Sequence, residues 1–298
     1  MQAPRKSSPP VLAAKATAGE AFVANVRAAL EQVAANASGS ALGRNPEYLH
    51  QLRVGVRRLR SALRAFRALL RRRQADAIEQ SWRAMMQTLG NARDWDVFQH
   101  SLQAGELLPE AVRRRLKAQR LARELVRSPT FRDAQLSTFA WAQSRPWRSH
   151  AKPAKPLREF AHSALNRLHE NLRRAAWGID WRDAARRHKV RIRVKRLRYG
   201  CDFFASAFPR RHALAFFEGL RLLQDILGQM NDIEVQRGLL RQMVPRGSTL
   251  KVVESEAAVR ARLAAREREL MAALDPAWTA FEARRPFWQP REAPRAGE

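Results

Sequence analysis

Cysteine is almost absent from this chain of 298 residues, which has one, Cys201. A single cysteine excludes an intramolecular disulfide and a zinc site built from several cysteines. No stretch approaches the roughly 20 apolar residues of a membrane span, and the first residues contain no apolar signal-peptide core. We therefore expect a soluble cytoplasmic protein in which Cys201 packs as a small core residue.

Lysine and acidic residues are scarce relative to arginine. The chain has 48 Arg and 8 Lys against 28 Asp and Glu, which gives a formal net charge of +28. Coding bias can favour Arg over Lys, but it does not explain such an excess of positive charge. An excess of this size indicates a polyanionic partner, namely nucleic acid, an acidic membrane surface or polyphosphate.

β-branched residues are sparse as well, and most segments between the Pro, Gly and Ser clusters have helical periodicity. We predict an all-α fold. Residues 1–14 and 289–298, which lack this periodicity, are predicted to be disordered tails. Residues 15–145 and 157–288 are predicted to form two halves, joined by a proline-containing linker over 146–156.

Each half is predicted to be a bundle of about four helices. The predicted helices of the first half cover about 17–36, 45–73, 75–103 and 109–128, with a shorter one over 132–143 and a Gly/Ser loop over 38–43. Those of the second half cover about 157–177, 181–208, 210–243 and 249–274.

Two motifs recur at a single offset of 138 residues. HQLRVGVRRLRSALRAF (50–66) aligns with HKVRIRVKRLRYGCDFF (188–204), and LGNARDWDV (89–97) aligns with LGQMNDIEV (227–235). Two motifs repeated at one offset indicate an internal duplication and therefore one architecture repeated. Because the first motif is the most densely basic stretch of each half, we expect both copies to hold the ligand.

Placed on a helix, each copy of the first motif separates into an apolar and a basic stripe. The apolar stripes are Leu52, Val56, Leu59, Leu63, Phe66 and Leu70 in the first copy, and Val190, Val194, Leu197, Cys201 and Phe204 in the second. The basic ridges are His50, Arg53, Arg57, Arg60 and Arg64 in the first copy, and His188, Arg191, Lys195 and Arg198 in the second. Arg58 and Arg196 fall off the ridges and are predicted to face solvent or a neighbouring helix.

The spacing of the ridges suits a chain of phosphates. One helical turn rises about 5.4 Å, which matches successive phosphates of a flexible chain. The planar guanidinium of Arg donates two parallel hydrogen bonds to phosphate oxygens. The alternative is an ordinary amphipathic helix with a solvated basic face, which does not explain why the same residues, His included, recur in the second copy.

The second motif supplies acidic partners for the ridges. In an antiparallel hairpin, Asp94 lies level with His50 and Arg53, and Asp232 has the same position in the second copy. We expect Asp94 and Asp232 to orient the basic side chains through charge-assisted hydrogen bonds. A catalytic or metal role stays open for Asp94, Asp96, Asp232 and Glu234. The surrounding guanidinium groups disfavour a divalent cation, and the sequence has no HExxH or Cys/His cluster, so no metal or cofactor is predicted.

These motifs resemble the CHAD domain, the conserved histidine α-helical domain. H-x-x-R-V-x-x-R-R-L-R near the start of each half, followed by L-G-x-x-R/N-D-x-D/E-V, carries the resemblance, which spans residues 15–285. It implies two pseudo-symmetric four-helix bundles around a basic central cavity that binds inorganic polyphosphate and is lined by both ridges. It also implies association with polyphosphate granules. Asp202 stands where the first copy has Arg64, and Asn231 where it has Arg93, so we expect an asymmetric site.

The resemblance favours binding without enzymatic activity. Some CHAD domains follow a CYTH domain with an E-x-E-x-K strand, which does not occur in this sequence. One alternative is a nucleic-acid-binding protein, with Trp82, Trp95 and Trp141 stacking on bases. Another is a metal-dependent phosphohydrolase acting on polyphosphate or nucleotides through Asp94 or Asp232. Membrane binding is disfavoured because no basic amphipathic segment is separable from the bundles.

A further basic run follows these motifs, from Arg113 to Arg123. It could extend the polyphosphate site, and it could equally be a solvated outer face of its helix. The sequence leaves this question open.

Overall fold

A computed structural model describes residues 3–8, 10, 12–13, 15–102, 105–244 and 248–289, with the backbone alone described at 210–212. Regular structure in these residues is helical, which confirms the all-α prediction. The helices are α1 (Ala18–Leu42), α2 (Pro46–Ala65), α3 (Arg72–Ser101), α4 (Leu108–Arg127), α5 (Pro129–Gln143), α6 (Leu157–Ala176), α7 (Ala184–Phe204), α8 (Arg210–Met243) and α9 (Leu250–Glu282). Within the same residues, no helix has both the length and the apolar character that crossing a membrane requires.

Local sequence accounts for several helix starts. The Thr17 hydroxyl accepts a hydrogen bond from the Glu20 amide, and the Glu20 carboxylate accepts one from the Thr17 amide, which completes a capping box at α1. Asn45 caps α2 ahead of Pro46 in the first turn. Asp183 caps α7 in the same way. Both helices that carry a basic ridge, α2 and α7, therefore begin at a residue whose side chain caps the helix.

The first half contains five helices in the described residues, and the helices agree with the prediction more closely than the loop between α1 and α2 does. The shorter helix predicted over 132–143 is α5, which begins three residues earlier than predicted. Helix α1 also continues through the predicted Gly/Ser loop. Gly39 is needed there for close packing, because a Cβ at this position would collide with the ring of Tyr48. The helix ends at Gly43, whose positive φ of 71° suits glycine.

The predicted linker is held against the first half. Helix α2 ends at Ala65, earlier than predicted, and the turn after it is joined to the linker by a hydrogen bond from the Arg71 amide to the Pro146 carbonyl, 3.0 Å long. The far end of the linker is joined to α1, where the Ala18 amide donates to the Lys155 carbonyl at 3.0 Å. These contacts fix where the second half begins relative to the first.

Both halves contribute to one hydrophobic core. The apolar stripes predicted on α2 and α7, Cys201 included, are buried. The ring of Phe66 lies 5.5 Å from that of Phe160 and 5.0 Å from that of Phe204, so aromatic side chains of the first half pack directly on those of the second. Helix α2 contacts α7, and α3 contacts α8. This packing brings the two basic ridges to the same interface.

The predicted tails lie largely outside these helices. In the amino-terminal segment, the backbone of Arg5 exchanges two hydrogen bonds with the side chain of Asn36, at 3.0 and 2.9 Å. The predicted tail over 289–298 lies outside the described residues from 290 onward. The internal duplication and the boundaries of the two halves stay predictions.

Candidate functional site

The contact between α2 and α7 places basic side chains of both ridges together. Besides burial, the charge of Arg57 on α2 lowers the pKa values of Arg191 and Lys195 on α7, and the charge of Arg53 on α2 also lowers that of Lys195. The carboxylates of Asp94 on α3 and Asp232 on α8 act in the opposite direction on Arg53 and Arg191. We call these six residues the central cluster: Arg53, Arg57, Arg191, Lys195, Asp94 and Asp232.

Arg53 contacts the start of the second motif, LGNARDWDV. Its Nη1 donates a hydrogen bond of 2.6 Å to the carbonyl of Leu89. The next residue is Gly90, where a Cβ would lie 3.4 Å from that nitrogen, in ordinary van der Waals contact with the guanidinium. Burial lowers the pKa of Arg53 to about 10, which leaves the side chain cationic at neutral pH.

Asp94 interacts with both halves of the molecule. Burial raises the pKa of its carboxyl group, the charge of Asp232 raises it further, and Arg53 and Arg191 act in the opposite direction. The charges of Arg53 and of Arg191, an arginine of the other copy, thus both act on Asp94. Within the described residues the Asp94 carboxylate makes no ion pair or hydrogen bond, so its orienting role stays a prediction.

Lys195 contributes the amine of the central cluster, and its pKa is strongly lowered. Burial, followed by the charges of Arg191 and Arg57, lowers its pKa from 10.5 to about 7, and Asp232 partly opposes this shift. Near neutral pH the ammonium form is therefore only partly populated. Added negative charge would raise this pKa, because it favours the protonated form.

Several buried guanidinium nitrogens lack acceptors. The Nε atoms of Arg57 and Arg191, and those of Arg60 and Arg196, have no hydrogen-bond partner in the part of the chain that the structure describes. A buried unpaired N–H group costs about 1–3 kcal/mol. Donors from two helices gathered in this way can bind a ligand that presents many oxygen acceptors and negative charge.

The end of the first ridge forms a second group with two neighbouring charged residues, and we call this group the flank cluster: Arg60, Arg64, Arg196 and Glu79. The Oε1 atom of Glu79 pairs with Arg64 and lies 3.5 Å from Nη2 of Arg60. Burial, followed by the charges of Arg64 and Arg193, lowers the pKa of Arg196 to about 10. Arg196 was predicted to lie off the ridge, facing solvent or a helix neighbour. The structure places it against the ridge of the other copy, because α7 packs on α2.

Arg58 has a different role from Arg196, its counterpart in the alignment. It is 7% exposed, and its guanidinium carbon lies 5.7 Å from the centre of the Phe203 ring. Asp202 and Arg198 act on its charge. Arg198, a predicted ridge residue, donates a 3.0 Å hydrogen bond to Gln224 and is not brought into the central cluster.

These contacts are reciprocal between the copies. Arg58 lies near Arg198 and Asp202, and Arg196 lies near Arg60 and Arg64, their counterparts. The substitution of Asp202 for Arg64 therefore makes one end of the interface more cationic than the other. The asymmetry expected from the sequence thus lies in the contact between α2 and α7, with Arg64 at one end and Asp202 at the other.

The two histidines lie beside the central cluster. Burial, followed by the charge of Arg93, lowers the pKa of His50. In the second copy the Nδ1 atom of His188 is 3.0 Å from Oδ1 of Asn231, the counterpart of Arg93. His188 and Arg191 line a groove of about 270 Å³, which gives a ligand access to the second ridge.

The remaining acidic candidates do not join Asp94 and Asp232. Asp96 is 1% exposed on its side chain and accepts a 2.5 Å hydrogen bond from Gln119, while Glu234 pairs with Arg237 at 2.8 Å. Within the described ranges, no three or more His, Cys, Asp and Glu residues are grouped so that they could hold a metal ion.

Other candidate residues also lie apart from the ridges. Trp82 and Trp95 are buried in the core, and Trp141 is half-buried with its indole nitrogen donating to Gln74, so these rings are poorly placed to stack on bases. On α4, Arg113 and Arg114 pair with Glu110, and Arg120 pairs with Glu124. Ion pairs within one helix are typical of a solvated face.

Comparisons with known proteins agree with this architecture. The family described as the CHAD domain matches residues 24–241. The crystal structure of the CHAD domain from the plant Ricinus communis is 30% identical, with a TM-score of 0.83, and the match covers 96% of this chain and 98% of that one. PptA from Streptomyces chartreusis, at 16% identity and a TM-score of 0.70, shares the fold over 89% of this chain and 100% of its own. A comparison with curated proteins finds no match.

Proposed function

Because this chain belongs to the CHAD domain family, we propose that it binds inorganic polyphosphate through the central and flank clusters. The observation that carries the proposal is the set of buried Nε groups, on Arg57 and Arg60 of α2 and on Arg191 and Arg196 of α7, without acceptors in the described residues. A phosphate chain lying along the contact of the two helices would supply acceptors to both.

Electrostatics supports a ligand of high charge density. Burial penalises the charged forms of Arg53, Arg191 and Lys195, and neighbouring cations penalise them further. A chain that carries a negative charge at each phosphate offsets both penalties. Binding would release counterions and depend steeply on salt. Long chains would bind better than short ones, because each additional phosphate engages at high effective concentration.

The alternative ligands have weaker support in the structure. Single-stranded nucleic acid gains much of its affinity from aromatic stacking, and the three candidate tryptophans do not line the clusters. Hydrolysis would require a group that activates water, whereas the charges of Arg53 and Arg191 acting on Asp94 favour a role in orienting cations. We therefore propose binding without turnover, with association to polyphosphate granules as its cellular consequence.

The test is a titration with long-chain polyphosphate, tripolyphosphate and single-stranded DNA at matched phosphate concentration and about 150 mM salt. The variant Arg53→Ala/Arg191→Ala should bind long-chain polyphosphate at least about ten-fold more weakly, because each lost charged hydrogen bond contributes about 1.5–3 kcal/mol. The control Arg221→Ala/Arg241→Ala removes the same charge from exposed positions of α8.

The outcomes separate the candidate functions. Equal losses in the two variants would refute the central cluster as the site. Equal affinity for DNA would indicate a general polyanion surface. Release of phosphate from polyphosphate in the presence of Mg²⁺, abolished by Asp94→Asn, would establish the hydrolase alternative instead.

A further inference from the structure

A groove runs along helix α6, away from the two clusters. It consists of three cavities of about 860, 430 and 880 Å³. The first two share Arg285 and Pro286 in their walls, and the last two share Glu170 and Arg173. The cavities are therefore continuous along α6, whose 20 residues span about 30 Å. We call this surface the α6 groove.

The α6 groove is separate from the proposed polyphosphate site. One wall is α6 with Lys155 before it, and the opposite wall is formed by the end of α9 and the residues that follow. The start of α8 and the two residues before it also line the first cavity. The described lining contains no member of the central or flank cluster. A ligand of this groove would not compete directly for those arginines.

Charges of both signs line the α6 groove. Lys155 is paired with Glu159 at 3.2 Å, and Arg173 with Glu282 at 3.7 Å. Glu170 also faces the groove. The carboxylates of Glu159 and Glu170 on α6 and of Glu282 on α9 alternate with the cations of the groove. The groove therefore suits a ligand whose negative charges are interrupted by uncharged groups better than a uniformly charged phosphate chain.

Two arginines of the groove are available to such a ligand. Arg158 and Arg174 are exposed and make no ion pair with any described residue, although Arg174 donates a 2.9 Å hydrogen bond to Asn171. They lie near opposite ends of α6, in the first and third cavities. Carboxylates spaced along a peptide could reach both.

The groove also presents an aromatic anchor. Trp177, directly after α6, is 83% exposed, more than any other large apolar side chain of the described residues. The Arg186 guanidinium donates to the carbonyls of Trp177 and Gly178, each at 3.1 Å, so the turn that carries the indole is braced. Trp278 lines the same cavity. Aromatic side chains in such a setting dominate many protein–protein interfaces.

We propose that the α6 groove docks an extended acidic segment of a partner protein. Its carboxylates pair with Arg158 and Arg174, and an aromatic or apolar side chain packs on Trp177. The peptide backbone between these residues supplies uncharged groups beside Glu159 and Glu170, where a phosphate chain would place further negative charge. The groove thereby gives the protein a contact with a polypeptide that does not occupy the central cluster.

The test uses a fluorescently labelled random copolymer of glutamate and tyrosine as the probe, with polyglutamate as the probe without aromatic groups. Binding to the full chain is measured by anisotropy at about 150 mM salt, which screens long-range attraction. The variants are Trp177→Ala, Arg158→Glu/Arg174→Glu, and a matched charge-reversal control on the exposed face of α4, Lys117→Glu/Arg120→Glu. Thermal unfolding verifies that each variant is folded.

We expect Trp177→Ala and Arg158→Glu/Arg174→Glu each to weaken copolymer binding at least ten-fold, with less than a two-fold change in the α4 control. Polyglutamate should bind the unmodified protein more weakly than the copolymer, and Trp177→Ala should abolish that difference. Equal losses in the groove and control variants would show general charge attraction and overturn the proposal.

Titration of the same variants with long-chain polyphosphate keeps this proposal distinct from the proposed function. Retained polyphosphate binding with lost copolymer binding supports the docking groove. Joint loss of both ligands would make the groove part of the polyphosphate path and overturn it. Absence of polyphosphate binding in every protein, with the copolymer pattern intact, would refute the proposed function and leave the groove supported.

Discussion

Lys195 should couple polyphosphate binding to proton uptake. The groups that face it are Arg191 on its own helix, Arg53 and Arg57 on α2, and Asp232 on α8. Burial and the three arginine charges hold its pKa at about 7 in the free protein, against an ordinary value of 10.5. A bound phosphate chain supplies the negative charge that restores the ordinary value, so binding above pH 7 requires a proton to be taken up.

The magnitude follows from this difference. If the complex holds Lys195 fully protonated, affinity falls in proportion to the loss of the ammonium form in the free protein. Between pH 7 and 9 this amounts to about fifty-fold, since each pKa unit corresponds to about 1.4 kcal/mol. Burial and the charge of Arg93 lower the pKa of His50, so its imidazole is already neutral in the free protein across this window.

Isothermal titration calorimetry provides the assay. At pH 8, titrations in two buffers of different ionisation enthalpy should show about 0.9 proton taken up per site, and Lys195→Met should abolish both the uptake and the decline in affinity from pH 7 to 9. An affinity that stays constant over this range in the unmodified protein would refute the argument, as would an equal decline in Lys195→Met.

The same residue affects the stability of the free protein. Because its pKa in the folded state is depressed below the value of the unfolded chain, the folded state binds fewer protons between about pH 7 and 10.5, and this contribution to stability grows as pH rises through the window. Lys195→Met should therefore raise the free energy of unfolding below pH 7, by an amount that shrinks toward pH 10.

Further predictions concern stability and affinity. Arg58→Ala should lower the free energy of unfolding in urea by about 2–4 kcal/mol, because it removes a buried cation from Phe203 and takes away one of the two arginine charges that act on Asp202. Gly55→Ala should lower it by about 1–3 kcal/mol, since the new Cβ would lie 2.8 Å from Cγ2 of Val33 where α1 packs on α2. Glu79→Gln should tighten polyphosphate binding several-fold in a titration, because the carboxylate competes for the flank cluster. The logarithm of affinity should fall with that of salt at a slope near −4 for about six phosphate contacts, and a slope near zero would contradict the electrostatic mechanism.

Much of the fold was predictable because helical periodicity is a local signal. The apolar stripes of α2 and α7 follow from spacing alone, and each of their residues is buried. Helix ends were harder to predict. Gly39 resembles a helix breaker in the sequence, but its lack of a side chain serves the contact with Tyr48, which involves residues of another helix.

The site was predictable only as far as single helices determine it. The spacing gathers Arg53 and Arg57 on one face, and the repeat supplies Arg191 and Lys195. The place of Arg196 depends on how α7 packs against α2, which periodicity does not encode. One signal in the sequence could have indicated its position. In each copy a ridge residue is followed directly by a second cation, as in Arg57–Arg58 and Lys195–Arg196. The second cation lies on a different face of the helix, where it is expected to meet a neighbouring helix.

The aromatic contact of Phe66 with Phe160 and Phe204 has a consequence for how a polyanion arrives. Separating the two halves would part these rings and expose core surface, at a cost of about 1.5–3 kcal/mol for each buried Phe side chain. The two ridges are therefore already apposed before any ligand is present. Association is then a matter of collision and electrostatic steering, without a slow opening step, and a long chain can slide along a pre-formed track until its charge is fully engaged.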